Sequence, residues 1–570
     1  MKLRAASASL ALVMILAGCN NDGSGTVTSP APTPASTPTP GASITSGLLP
    51  ASGETAAFKD TLLKLTFSAA PVATGMGRIR VYKSDGTLVD TIDTSGGVTV
   101  AGGETQTALG NGNTEIDKIG NGVASLTQYR FTYYRPIKIS GNTATIKLHD
   151  NVLAYDTSYY VQIDQSVFNG PIAGFNSFPG ISGTTGWTFK TKSAPTSTSA
   201  VTVDDDGAAD FRSVQGALNY MMTVGCTSCA GAATAKTITI KNGTYDEQLF
   251  LRNTSNLTIN GESRAGTIVQ NNNWEAFNPG VGGSRAAPNT TLSNIGGNTA
   301  LGNRLALGGG RAVLLIEGGD QIRVNNFTMQ NTHVKDATQN SQAEVIYYNS
   351  ANLNGSRFIG TDMNFIGTQD TLQMKGWVWI YNSLIAGDVD FIWGYPFAMA
   401  IENSELRTVV DPSAPTSGGY IFQARSAKGY PGFVVLGGSL TYANGVPSGS
   451  TYLARSGGVN QAGGYCTTMQ VLGVSASNAT QYCDNLAFIG VKMDSHVAAA
   501  GWWINPIPNL LPSATEGWRE SGSLTPTGTA LSMTGRNTTY GSSTADLSGL
   551  NTRAKVFAQW NNNVGWTPAP

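Results

Sequence analysis

Asp370 and Asp390 stand 20 residues apart in an otherwise apolar stretch, one in the block Gly367-Thr-Gln-Asp-Thr-Leu372 and the other in Gly387-Asp-Val-Asp-Phe-Ile-Trp-Gly394. If about 20 residues make one coil of a stacked strand array, the two acids face each other from neighbouring strands, roughly 4.7–4.9 Å apart. Two carboxylates that close on a partly dry surface do not both ionise easily, so one holds its proton more tightly. The pair then offers an ionised nucleophile beside a proton donor near neutral pH. Which acid keeps the proton is a property of the pair and is not set by the sequence. Gln342 and Gln369 can supply neutral N–H donors from neighbouring coils, which suits a developing oxyanion. A nearby arginine would keep the nucleophile charged.

The elements that must position these residues are strands. Only 12% of the 570 residues are charged, Gly alone numbers 69, and Asn, Ser and Thr crowd the rest, a composition of strands and turns rather than helices. Short apolar runs recur from Thr237-Ile-Thr-Ile240 and Leu257-Thr-Ile259 through Trp377-Val-Trp-Ile380 and Ala398-Met-Ala-Ile401 to Ala487-Phe-Ile489, many of them about twenty residues apart. Repetition at that period without helices predicts a parallel β-solenoid rather than a propeller or a large sandwich. One helix is expected, over Asp210–Met222, where Phe211, Val214, Ala217, Leu218 and Met221 share a face. It would close the open end of the array.

Over roughly residues 199–568 the chain resembles the pectin methylesterases, carbohydrate esterases built on a right-handed parallel β-helix. The resemblance is carried by Val203-Asp-Asp-Asp-Gly207, Asn242-Gly-Thr-Tyr-Asp-Glu247, Gln342-Ala-Glu-Val-Ile346, Gln369-Asp-Thr-Leu372, Val389-Asp-Phe-Ile-Trp-Gly394, Gln423-Ala-Arg425, Gly501-Trp-Trp503 and Glu520. The Gln-Asp-Thr-Leu and Val-Asp-Phe-Ile blocks, in order and one coil apart, are its most specific part. It implies that Asp390 attacks the methyl ester of a galacturonate, that Asp370 is the general acid and base, and that Gln342 and Gln369 hold the oxyanion. It also implies that Arg455 fixes the nucleophile and that no metal or cofactor takes part. Arg455 is followed here by Ser456-Gly-Gly458, where the family has a tryptophan two residues on, so one sugar-stacking ring is missing. Trp393 could replace it, although an aromatic at a rung is more often simply packed. Tyr395, Arg425 and Tyr245 are further expected sugar contacts, and Trp377, Trp379, Tyr395 and Phe397 are candidates for an aromatic-lined groove, packing again being the commoner role for such rings.

Other chemistries fit less well. His149, His333 and His496 lie far apart and no G-x-S-x-G elbow occurs, which argues against a serine triad. Asp204, Asp205 and Asp206 read as a solvated turn rather than a metal site. The carboxylate sets of a lyase or a glycosidase are not visible beside Gln369-Asp370. Two alternatives remain: a related esterase or thioesterase on a non-pectin substrate, and an inactive glycan-binding lipoprotein. The formal net charge of -1 removes the electrostatic case for nucleic-acid binding. The expected partners are pectin and a membrane, and the expected state is a monomer.

The membrane partner comes from the N-terminus. Lys2 and Arg4 precede an apolar run, and Leu16-Ala-Gly-Cys19 resembles a bacterial lipobox, which implies cleavage after residue 18 and lipid on Cys19. Asn20 resembles the sorting pattern of outer-membrane lipoproteins, facing the periplasm or the cell surface. Residues 19–46 read as a Pro/Thr/Ser-rich tether. Residues 47–194, with Leu63-Lys-Leu-Thr-Phe67, Arg78-Ile-Arg-Val-Tyr82, Ala144-Thr-Ile-Lys-Leu148 and Tyr159-Tyr-Val-Gln-Ile163, predict a small antiparallel sandwich. It resembles bacterial Ig-like modules, and a spacer role is the simplest. Four cysteines remain, Cys226, Cys229, Cys466 and Cys483; three connectivities are possible, and the local pairs Cys226–Cys229 and Cys466–Cys483 are favoured over a redox or zinc motif.

Overall fold

The computed structural model describes Ile44 and residues 46–94, 97–99, 105–107, 113–123, 126–225, 233–278, 310–338, 341–457 and 483–570. Cys19, Cys226, Cys229 and Cys466 lie outside them. Cys483 is buried and disulfide-bonded.

Antiparallel pairing dominates the N-terminal third, where Thr188–Thr191 also pairs in parallel with Glu54–Ala57. One sheet contains Leu63–Thr66 and Thr143–Ile146, and another joins Arg78–Lys83 to Ser158–Ile163 and Thr188–Thr191. The alternation of the sequence explains them: Leu63 and Leu65, Ile79 and Val81, Ala144 and Ile146 all point into one core with Trp187 and Phe189. A long hairpin, Glu115–Val123 with Leu126–Tyr134, was not anticipated. Glu115-Ile-Asp-Lys-Ile119 mixes charges with apolar residues, and Gln128-Tyr-Arg-Phe-Thr-Tyr133 alternates but buries its polar side, Gln128, Arg130 and Thr132.

From Ala200–Val203 onward every named strand pairs in parallel. The strands stack on three faces. The first runs from Lys236–Ile240 through Leu257–Gly261 and Arg357–Thr361 to Trp518–Ser521; the second from Leu249–Arg252 through Ile346–Asn349 and Tyr420–Ala424 to Trp502–Trp503. The third is a separate eight-stranded sheet from Gly243–Asp246 to Lys492–Met493. The molecule is a parallel β-helix. First and second faces fuse because Leu372–Tyr381 and Val389–Glu402 each cross from one to the other, with a register shift at Gly376/Trp377. The coil interior is one continuous apolar stack that includes Ile259, Val324, Leu372, Ile392, Phe422 and Phe488.

Corners explain the abundance of Asn, Asp and Gly. Just after the first face, Asn326, Asp362, Asn382, Asn403, Gly437, Gly490 and Gly522 each adopt positive φ, a conformation these residues tolerate best. The helix spans Val214–Val224 and places Val214, Ala217, Leu218 and Met221 in the coil core. Ser213 caps it, and Asp60 of the antiparallel portion accepts the Arg212 and Ser213 backbone N–H groups at 2.9 and 2.7 Å.

Candidate active site

Asp370 and Asp390 occupy the same face on adjacent coils. The Asp370 N–H donates to the Val389 carbonyl at 3.0 Å, and the strands beyond align Leu372 with Ile392 and Gln373 with Trp393. Both acids take positive φ, 66° and 50°, at the corner that leads into the second face. The conformation is uncommon for a side-chain-bearing residue, and Asp is among the few that accept it. The corner aims both side chains outward from the apolar interior.

Their surroundings differ. Asp390 accepts Arg455 Nε at 2.8 Å on one oxygen, and Arg455 Nη2 together with Gln423 Nε2, the latter at 2.8 Å, on the other. The guanidinium in turn lies over the Tyr420 ring, 4.5 Å from its centroid. Among the described residues the Asp370 carboxyl meets a single nitrogen, Arg311 Nη2 at 3.0 Å. That guanidinium is already committed to a bidentate pair with Glu344, both contacts 2.6 Å, and to Glu275 at 2.9 Å. Burial holds the Asp370 carboxyl well above the usual carboxylate range; Arg311 opposes the rise, while Glu344 and Asp390 add to it. Burial also raises Glu344, with Arg311 opposing.

Backbone bonds from Val313 to Glu344 and from Val345 to Thr371 put Glu344, Asp370 and Asp390 in one row across three coils. Arg311 stands at one end of this row of acids and Arg455 at the other. Arg311→Gln would take the guanidinium away from the buried carboxyls of Glu275, Glu344 and Asp370. We expect it to lower the unfolding free energy by about 3–5 kcal/mol, measured by denaturant unfolding at pH 7; a loss below about 1 kcal/mol contradicts this.

Gln342 and Gln369 are adjacent, since the Ala343 N–H donates to the Gln369 carbonyl at 3.1 Å. The Gln342 side-chain oxygen is buried and finds no partner among the described residues. The same holds for the Gln373 amide, Trp393 Nε1 and Arg425 Nε, all on this outer face. Buried polar atoms without partners are uncommon, and their gathering beside two acids marks a surface shaped for a polar ligand. Arg425 donates to the Tyr395 hydroxyl at 2.9 Å and sits 5.5 Å from the Trp393 ring centroid. Burial tends to lower this guanidinium, but Tyr395, Asp390 and Asp370 outweigh it and hold it above its ordinary value.

The structure therefore gathers Asp370, Asp390, Gln342, Gln369, Arg455, Trp393, Tyr395 and Arg425. It does not bring Tyr245 to them. That residue lies on the third face in the coil core, its hydroxyl donating to the Lys241 carbonyl at 3.0 Å. Trp377, Trp379 and Phe397 do not line a groove either. They pack outside the first face under Leu547, Val556 and Phe557 of the C-terminal segment. Trp393 is only 5% exposed, a packed ring rather than a platform. Half-buried rings gather instead beside Arg455: Tyr420, Tyr452 and Trp503, with the Tyr452 and Trp503 centroids 4.9 Å apart. Asp204 accepts the Asp206 and Gly207 backbone N–H groups, as a turn-forming Asp does.

Comparison with known proteins finds similarity only among solved structures, at low identity. No family model matches, and no curated protein matches. Among solved structures, a pectin methylesterase in complex with a hexasaccharide is 19% identical, covering 66% of this chain and 100% of its own, at a TM-score of 0.45. Pectin methylesterase PemA from Erwinia chrysanthemi is 20% identical over 65% of this chain and 99% of its own, also at 0.45. The pectin methylesterase from Yersinia enterocolitica is 22% identical over 62% and 100%, at 0.43. The chain is thus structurally similar, at low identity, to pectin methylesterases over about two thirds of its length.

Proposed function

We propose that the chain is a carboxylic ester hydrolase of the aspartyl type, acting on methyl-esterified galacturonate units of pectin and releasing methanol. The observation that carries this reading is the unequal pair: Asp390 held by a guanidinium fork, Asp370 beside it with a raised proton affinity. Asp390 attacks the ester carbonyl. The oxyanion takes N–H groups from Gln342 and Gln369, and Asp370 gives its proton to the departing methoxide. Asp390 is then joined to the galacturonyl carbon as an anhydride. Asp370, now ionised, takes a proton from water, whose oxygen attacks that carbon and frees Asp390. The motifs around residues 369–372 and 389–394, quoted above, support the choice of ester and sugar.

The test is methanol release from highly esterified pectin by the full chain. None from the wild type at any pH between 5 and 9 would remove the proposal. Gln342→Ala and Gln369→Ala are each expected to lower kcat by roughly 10²–10³-fold, with KM little changed. A change confined to KM would take the oxyanion role from that residue. We propose further that Cys19 bears lipid and anchors the protein in the outer membrane; loss of labelled-palmitate incorporation in Cys19→Ala checks this.

A further inference from the structure

The outward residues of the second face form one continuous row. Phe250 aligns with Leu315, Leu315 with Tyr347, Tyr347 with Gln373 and Gln373 with Trp393. Trp393 aligns with Gln423, and further on Arg455 aligns with Trp503. A polymer lying along the coils beside Asp370 and Asp390 would follow this row.

The antiparallel portion covers one end of it. Ile119 of the long hairpin packs with Phe250, Ala312, Leu315 and Tyr347. Arg130 pairs with Glu317, which Arg252 Nε also holds at 2.8 Å. Thr132 bonds Gln248 at 2.8 Å, and Asn278 binds the Tyr133 backbone N–H and carbonyl at 2.7 and 2.9 Å. Tyr347, on the coil next to that of Asp370, is consequently 1% exposed, and Leu315 beyond it 3%. On the other side of the acids Trp393 and Gln423 are still only 5% and 9% exposed, and the row opens beyond them, with the Arg455 side chain 30% exposed and Tyr420, Tyr452 and Trp503 half-buried around it. Among the described residues the face is thus shut within about one strand spacing, ~4.8 Å, of Asp370 and opens from about two spacings past Asp390. A pyranose ring is about as long as one such spacing.

We propose that the hairpin makes this cleft one-sided, so that the enzyme removes methyl esters at or next to one end of a galacturonate chain and not from its interior. The proposal rests on the esterase reading and adds a specificity to it; the N-terminal portion then shapes the substrate site and is more than a spacer. The aromatic cluster of Tyr420, Tyr452 and Trp503 lies where the rest of the sugar chain would run.

The experiment is positional mapping by tandem mass spectrometry of the products that the full chain makes from a fully methyl-esterified hexagalacturonate. The expected result is loss of methyl from the terminal one or two sugars of a single end, with the interior esters retained. Removal of interior esters at a similar rate overturns the proposal while leaving the esterase standing. Absence of methanol from hexamer and polymer alike overturns both. A variant in which residues 119–130 are replaced by an Asn-Gly turn, with its thermal transition measured alongside, is expected to gain interior attack. An unchanged terminal pattern in a folded variant overturns the hairpin's part. Mapping of the wild type decides the specificity even if that variant does not fold.

Discussion

Asp390→Asn is expected to lower kcat for methanol release roughly 10⁴-fold or more, the scale seen when a covalent nucleophile is removed. The substitution suits the site physically. Asn tolerates the positive φ of 50° that Asp390 adopts, so the corner survives. Its carbonyl still accepts from Arg455 Nε or Gln423 Nε2, and Arg455, partly exposed, can be solvated once the charge is gone. A thermal midpoint within a few degrees of the wild type should accompany the loss. Retention of a tenth or more of the wild-type rate by a folded variant would show that some other group attacks the ester.

Asp370 should impose a pH dependence on both activity and stability, and the two have one cause. In the proposed mechanism the first step needs its proton, so kcat/KM is expected to fall as pH rises through its raised pKa. For stability the sign follows from linkage: the folded state keeps a proton that the unfolded chain releases near the ordinary 3.8. Between those two pKa values the unfolded state binds fewer protons, and stability declines as pH increases. Below 3.8 both states are protonated and the slope vanishes. Asp370→Asn removes this contribution. We therefore expect a variant with kcat down roughly 10²–10⁴-fold and a flatter fall of unfolding midpoint with pH. Parallel midpoint-against-pH curves for the two proteins would mean that Asp370 is ionised in the folded enzyme.

The β-helix was legible because its period is a property of short segments. Trp377-Val-Trp-Ile380 and Ala398-Met-Ala-Ile401 announce one face, and the Asn, Asp or Gly after each strand announces the corner. The third face was harder. Gly243–Asp246 and Thr328–Asn331 are short and largely polar, with no apolar run to mark them as strands. The acid pair was legible because its spacing equals one coil. Arg311 was not: its partners Glu344 and Asp370 lie 33 and 59 residues away, and no local pattern joins them. Glu344 stood inside the quoted Gln342–Ile346 block, yet only the stacking of Val313, Val345 and Thr371 shows that it continues the row of acids. The aromatic candidates failed for a related reason. Composition does not say which face a ring lies on, and Trp377 and Trp379 went under the C-terminal segment while Tyr420, Tyr452 and Trp503 gathered at the site.

The proposed catalysis divides the work between neighbouring acids: Asp370, whose burial favours the protonated form, gives a proton while Asp390 attacks. Infrared difference spectra in the carboxyl-stretch region, comparing wild type with Asp370→Asn and with Asp390→Asn at pH 7, test it directly. A protonated-carboxyl band is expected to disappear in Asp370→Asn and to persist in Asp390→Asn. Loss of that band in Asp390→Asn instead, or in neither variant, would contradict it.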